Sequence, residues 1–116
     1  RRRAKEWAGR AAEARTDYRI WHASHWNWQE WLPSLWYRIG SCETGYGGPP
    51  NWQHHNSSYQ GAFGFAISSW DTFAYHANPA YGPYPTEAYL ATPSQQYEVA
   101  LAIYRRYGLS GWGCKG

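Results

Sequence analysis

The chain has 116 residues with a formal net charge of +3, and only 16% of them are charged while 20% are aromatic, nine Trp and eleven Tyr included. A chain so rich in aromatics and so poor in charge is not disordered, and its length suits one compact domain rather than two. It holds no Met and no apolar run long enough to span a bilayer, so no transmembrane segment is expected and the chain reads as a processed or excised soluble piece.

The positive charge is local: residues 1–15 carry +4 and the remainder −1. A basic tail on a neutral domain can touch an anionic polymer, a lipid or a nucleic acid, but a solvated helix or linker is the preferred reading, and no nucleic-acid partner is expected. From Trp7 the positions Trp7, Ala11, Ala14, Tyr18, Trp21, His25, Trp28, Leu32 and Leu35 step by fours and threes, the pattern of a helix with one packing seam. Two Ala and a His make that seam a weak coiled coil, so packing on its own domain, as a monomer, is expected over dimerisation. Residues 1–32 are read as a basic N-terminal helical extension and residues 33–116 as the domain proper.

Pro33 interrupts the run and opens a new helix in its first turn, where a missing N–H costs nothing. From there Leu35, Trp36, Ile39, Cys42 and Glu43 share one helical face, which places Glu43 on an apolar stripe. Gly45, Gly47, Gly48, Pro49 and Pro50 stop that helix, and residues 44–65 read as loop and short hairpin. Ile67, Trp70, Phe73 and Ala74 predict a further helix, followed by a Pro-, Gly- and Tyr-rich connection through Pro85 and a short turn near Glu87 to Leu90. Thr92-Pro93-Ser94-Gln95 is a capping box with Pro at the first helical position. Gln96, Val99, Ala100, Ile103, Tyr104 and Tyr107 form the stripe of the last helix, and Gly108 ends it. The fold class is α+β, mainly helical, with one short β-hairpin region.

Few residues are candidates for chemistry. Cys42 and Cys114, far apart in the sequence, are either a bridge closing the domain or two reduced core thiols, and a bridge implies an oxidising, extracellular setting. Glu43 precedes a Gly-rich loop at the C-terminal end of its helix. Burial and the negative end of the helix each favour the protonated carboxyl, the state a general acid needs, although a Glu turned to solvent at a frayed helix end fits the same spacing. Trp52, Tyr59, Phe63, Phe65 and Trp70 cluster after it, and aromatic faces in a cleft stack on the C–H faces of sugars; for any individual Trp a core position is the better reading, and only the clustering favours a cleft. His22 and His25, with His54 and His55, lack the further ligands that a zinc site requires, so no metal is expected. Phosphate-binding, nucleophile-elbow and dinucleotide signatures are absent from the sequence, and no cofactor is expected.

Several segments from Leu35 to Cys114 resemble, in order, the resuscitation-promoting-factor and transglycosylase-like domain, a family of small lysozyme-like peptidoglycan glycosidases. Ile39-Gly40-Ser41-Cys42-Glu43-Thr44-Gly45 resembles the family's helix end with its Cys-Glu-Ser-Gly, and Asn51-Trp52 its Asn-Trp. Tyr59-Gln60-Gly61-Ala62-Phe63-Gly64-Phe65 resembles its Tyr-Tyr-Gly-Gly-Leu-Gln-Phe, and Ser68-Ser69-Trp70 its Ser-Thr-Trp. Ala88 to Ala100 and the ending Gly108-Leu109-Ser110-Gly111-Trp112-Gly113-Cys114 resemble its last helix and C-terminal Trp and Cys. Two positions depart from the pattern: Gly64 stands where the family has Gln, and Tyr46 to Pro50 enlarge the loop after the acid.

The resemblance implies a lysozyme-like fold, Glu43 as the catalytic acid and a Cys42–Cys114 disulfide. It implies that Trp52, Tyr59, Gln60, Phe63, Phe65, Ser69 and Trp70 lie in or under a glycan cleft. The expected activity is cleavage of the β-1,4 bond between N-acetylmuramic acid and N-acetylglucosamine by a lytic transglycosylase secreted to the cell wall. Its partners would be peptidoglycan strands and, in some settings, a wall peptidase. A hydrolytic muramidase and a wall-glycan-binding module without turnover are the alternatives.

Overall fold

The computed structural model describes residues 28–115. The seam residues Trp7 to His25, the basic residues of 1–15, and His22 lie outside the described residues. Helix α1 (Trp28–Trp31) is a single turn whose last hydrogen bond runs from the Leu32 N–H to the Trp28 carbonyl at 2.9 Å. Leu32 is buried, and Trp28 and Trp31 pack on the same core as the rest of the domain. Pro33 sits just outside helix α2 (Ser34–Gly40) as its N-cap, one place earlier than the first helical position expected. Its carbonyl accepts the N–H groups of Trp36 and Tyr37, both at 3.0 Å, and this starts the helix with no side-chain cap.

Helix α2 runs directly into a π-helical turn, Ser41–Gly45, closed by the Tyr46 N–H donating to the Ser41 carbonyl five residues back. The wider turn changes which residue faces inward. Trp36, Ile39, Gly40 and Thr44 are buried, whereas Cys42 is exposed and Glu43 half-buried. The α-helical spacing that puts Cys42 and Glu43 on the apolar stripe therefore fails past Gly40, because the helix itself changes pitch there.

Strands β1 (Tyr59–Gln60) and β2 (Phe65–Ala66) form an antiparallel hairpin with Tyr59 opposite Ala66 and Gln60 opposite Phe65. A hairpin this short is marginal alone, and here side chains from elsewhere in the domain satisfy its connecting turn. The Ala62 N–H donates to Gln96 Oε1 at 2.8 Å, Thr44 Oγ1 donates to the Ala62 carbonyl at 2.8 Å, and Trp112 Nε1 donates to the Phe63 carbonyl at 3.1 Å. The turn that carries Gly64 is thereby clamped to the end of α2, to the last helix and to the C-terminal segment.

Helix α3 (Ile67–Ala74) follows β2 without a loop. Trp70 is its buried residue, with Nε1 donating to the Pro85 carbonyl at 2.9 Å. Two 3₁₀ turns, Pro79–Tyr81 and Ala88–Leu90, shape the connection to α4 (Pro93–Tyr107). The capping box is present: Thr92 Oγ1 accepts from the Gln95 N–H at 3.2 Å and Gln95 Oε1 accepts from the Thr92 N–H at 3.1 Å. Such a cap contributes about 1 kcal/mol. Gly108, at φ +63°, ends the helix.

The buried face of α4 is Ser94, Gln95, Gln96, Val99, Ala100 and Ile103. Tyr104 and Tyr107, expected on the same stripe, are exposed, each keeping an edge-on ring contact, Tyr104 with Trp36 and Tyr107 with Phe73. The centre of the core is Trp36, whose ring meets Phe63, Tyr97, Tyr104 and Trp112 edge-on with centroids 5.1 to 6.3 Å apart. Each such pair adds roughly 1 kcal/mol beyond the area it buries. The architecture is a small α+β domain, mainly helical, with one two-stranded antiparallel sheet among the described residues.

Candidate active site around Glu43

The π-helical turn ends α2 at the hairpin turn and the C-terminal segment, and Glu43 lies between them. Glu43 Oε1 accepts the Cys114 N–H at 2.9 Å. Oε2 lies against Gly64: a Cβ at that position would come within 3.1 Å of it. Gly64 has φ +63°, a left-handed conformation that a side chain strains. Glycine thus allows both the turn and the approach of the carboxyl. Cys42 and Cys114 form a disulfide with Cα atoms 5.9 Å apart, so the residue preceding Glu43 is bonded to the residue whose N–H holds it.

Gly64 lines a groove of about 340 Å³ whose wall includes Tyr59, Phe65, Ser69, Phe73, Tyr107 and Trp112. Tyr59 and Tyr107 are 52% and 53% exposed, leaving ring surface free for a ligand. Phe73 meets Tyr107 edge-on at 5.9 Å, and the Arg106 guanidinium lies 5.0 Å from the Tyr107 ring centroid. Among the described residues that line the groove none is acidic, and Glu43 itself is not one of them. Asp71 lines a different groove with Trp70 and Tyr84, and Glu87 Oε2 accepts from Gln60 Nε2. Glu98 on α4 is held above the usual carboxylate range by burial, partly offset by Arg105; it raises in turn the phenol of Tyr84, which burial already pushes up.

Of the residues expected at the substrate, Tyr59, Phe65 and Ser69 come together in the groove beside Gly64. Phe63 is fully buried beneath the hairpin turn, and Trp70 is buried and faces the groove that holds Asp71. Gln60 is buried, with Oε1 accepting the Ala88 N–H at 3.0 Å and Nε2 bound to Glu87, so its amide is used in tying the hairpin to the 3₁₀ turn. Trp52 lines neither of these grooves but a separate one. Sequence reasoning passed over Phe73 and Tyr107 as groove residues and the backbone N–H of Cys114 as the partner of Glu43. Tyr107 carried one usable signal, its position on the last helical turn directly before Gly108.

Among the described residues no group of three or more His, Cys, Asp or Glu side chains is placed to hold a metal ion. His55 is taken up locally, with Nδ1 3.1 Å from the Gln53 carbonyl and its ring stacked on Tyr89 at 4.1 Å. Among the described residues no helix is long and apolar enough to cross a membrane. Compared with models of protein families and with curated proteins, the chain matches none.

Proposed function

We propose that this chain is a peptidoglycan glycosidase that cleaves the β-1,4 bond between N-acetylmuramic acid and N-acetylglucosamine as a lytic transglycosylase, with Glu43 as general acid and then base. The observation that carries this reading is the asymmetry of the Glu43 carboxyl. Oε1 is occupied by the Cys114 N–H, while Oε2 lies beside Gly64, which itself lines an aromatic groove with no acid among its described lining residues. The Cys114 N–H occupies Oε1, which leaves Oε2 as the oxygen open to proton exchange with a substrate.

A single acid suits a substrate-assisted route better than one needing two carboxylates. Protonated Oε2 gives its proton to the glycosidic oxygen as the muramyl C1–O bond breaks, and the 2-acetamido oxygen closes on C1. The Glu43 carboxylate then takes the proton of the muramyl 6-hydroxyl, whose oxygen displaces the acetamido oxygen at C1 and closes a 1,6-anhydro ring. Exposed rings such as Tyr59 and Tyr107 stack on sugar faces and hold the strand against Glu43. The disulfide supports action outside the cell, where such bonds persist.

Mass spectrometry of the soluble fragments released from purified peptidoglycan by the oxidised protein and by Glu43→Gln tests this reading. Anhydro-muropeptides from the parent and none from Glu43→Gln are expected. Fragments one water heavier, with reducing ends, would make it a hydrolytic muramidase. Retention on the wall material without release of fragments would make it a binding module.

A further inference from the structure

Trp52 stands apart from the groove beside Glu43. With Trp28, Gln29, Gln53, Tyr89 and Leu90 it lines a second groove of about 780 Å³ that shares no lining residue with the first. Gln96 spans the two regions, accepting the Ala62 N–H of the hairpin turn and donating Nε2 to the Trp52 carbonyl at 2.8 Å. The second groove is therefore fixed to the same frame as Glu43 without being part of its site.

The chemistry of its wall is narrow. Among the described residues no charged side chain lines it, so its described wall supplies no cation of the kind that a phosphate, a nucleic acid or an acidic polymer requires. Three aromatic rings come from three separate segments. The side-chain amides of Gln29 and Gln53 have no hydrogen-bond partner among the described residues, and Asn51 uses only Oδ1, which accepts the Gln53 N–H at 3.1 Å. A fitting ligand is uncharged, has apolar faces to lie on rings, and carries hydroxyl and amide groups at its edges, as a chain of N-acetylhexosamines does.

The rings are held before any ligand arrives. Trp28 stacks on Tyr37 at 5.9 Å and meets Trp52 edge-on at 5.4 Å; Trp52 meets Phe63 at 5.4 Å, and His55 covers one face of Tyr89 at 4.1 Å. Rings already immobilised bind with little further loss of entropy.

We infer that this groove is a second saccharide site, which takes β-1,4-linked N-acetylhexosamine units away from the point of cleavage and keeps the protein on its polymer. Its role on the wall rests on the glycosidase reading of Glu43, whereas its ligand class is read from its own wall.

The test is a titration of the full chain carrying Glu43→Gln with chitotetraose, followed through the indole N–H resonances of Trp28 and Trp52 and that of Trp112, which lines the first groove. The Trp28 and Trp52 signals are expected to shift and saturate. Adding Tyr89→Ala should weaken that response about tenfold, the size of one lost ring contact, and leave the Trp112 response in place. Gln53→Ala, at an exposed side chain, should weaken it in the same direction with no risk to folding. Shifts confined to Trp112 would overturn the second site and leave the glycosidase reading standing. Shifts at Trp28 and Trp52 from a polyproline peptide but not from chitotetraose would make the groove a peptide site. No shift at any indole would overturn the second site, while the glycosidase reading stands or falls separately on the fragments released from peptidoglycan. Saturable shifts at Trp28 and Trp52 in a protein that releases no fragments from peptidoglycan would sustain the second site and remove the enzyme.

Discussion

Cys114 gives its backbone N–H to Glu43 across 71 positions of sequence and is bonded through its sulfur to Cys42, the neighbour of Glu43. The two ends of the domain thus meet at one carboxyl. One oxygen is fixed by the chain's C-terminal segment, and the other is left facing a bare glycine.

That bare glycine is the first target. In Gly64→Ala the new Cβ must sit at a positive φ and within 3.1 Å of Glu43 Oε2, so either the turn or the carboxyl shifts. A loss of about 1 kcal/mol in stability is expected, with a fall in peptidoglycan solubilisation of about a hundredfold, as follows from small misplacements of a catalytic group. Thermal melting and the clearing rate of a wall suspension measure the two separately.

Reduction of the disulfide should cost about 4 kcal/mol, the chain-entropy figure for a loop this long, to be read from urea midpoints with and without reductant. The double variant Cys42→Ser, Cys114→Ser should match the reduced protein. Activity should fall further than stability alone explains, because the donor to Oε1 is no longer tethered beside Glu43.

Local signals in the sequence translated directly into structure. The Thr92 to Gln95 capping box and the stop at Gly108 depend on a few adjacent residues and were legible. The setting of Glu43 was not legible: a π-helical turn leaves no mark in α-helical periodicity, and the N–H that holds the carboxyl belongs to the backbone, which sequence patterns do not report. Tyr59, Phe65 and Ser69 line one groove together, whereas Trp52 and Trp70 line two others. Each follows Glu43 closely in the chain, and only the folded hairpin decides which side each one lands on. Gln60 resembled a cleft residue because a buried amide and a ligand-facing amide look alike until their partners are known.

Gln96 is fully buried and makes three hydrogen bonds, from the Ala62 N–H and to the carbonyls of Trp52 and Ala91. Gln96→Leu fills the same space and leaves three backbone groups without partners, a loss of about 3 kcal/mol. Denaturant unfolding monitored by tryptophan fluorescence should show it, with the hairpin turn and the Trp52 loop exchanging amide hydrogens faster than α4.

Glu98 is raised by burial, an effect larger than the opposing pull of Arg105. A carboxyl with a higher pKa folded than unfolded binds its proton more tightly in the folded chain, so its contribution to stability declines as pH rises through the interval between the two values and stays unfavourable above it. Glu98→Gln should therefore melt above the parent at neutral pH, with the difference closing at about pH 3, where both side chains are uncharged. Parallel melting curves across pH decide it; a parent that gains stability relative to Glu98→Gln as pH rises would contradict the sign.

Between Gly40 and Tyr46 the number of residues is itself a determinant of chemistry. A relative shorter by one residue here would close an ordinary α-turn and carry its acid about 100° around the helix axis, away from Gly64 and the Cys114 N–H. Such a chain could keep every residue type of the site and lose the site. Spacing across Ser41–Gly45 is thus the feature that decides whether the carboxyl reaches Gly64 and the Cys114 N–H.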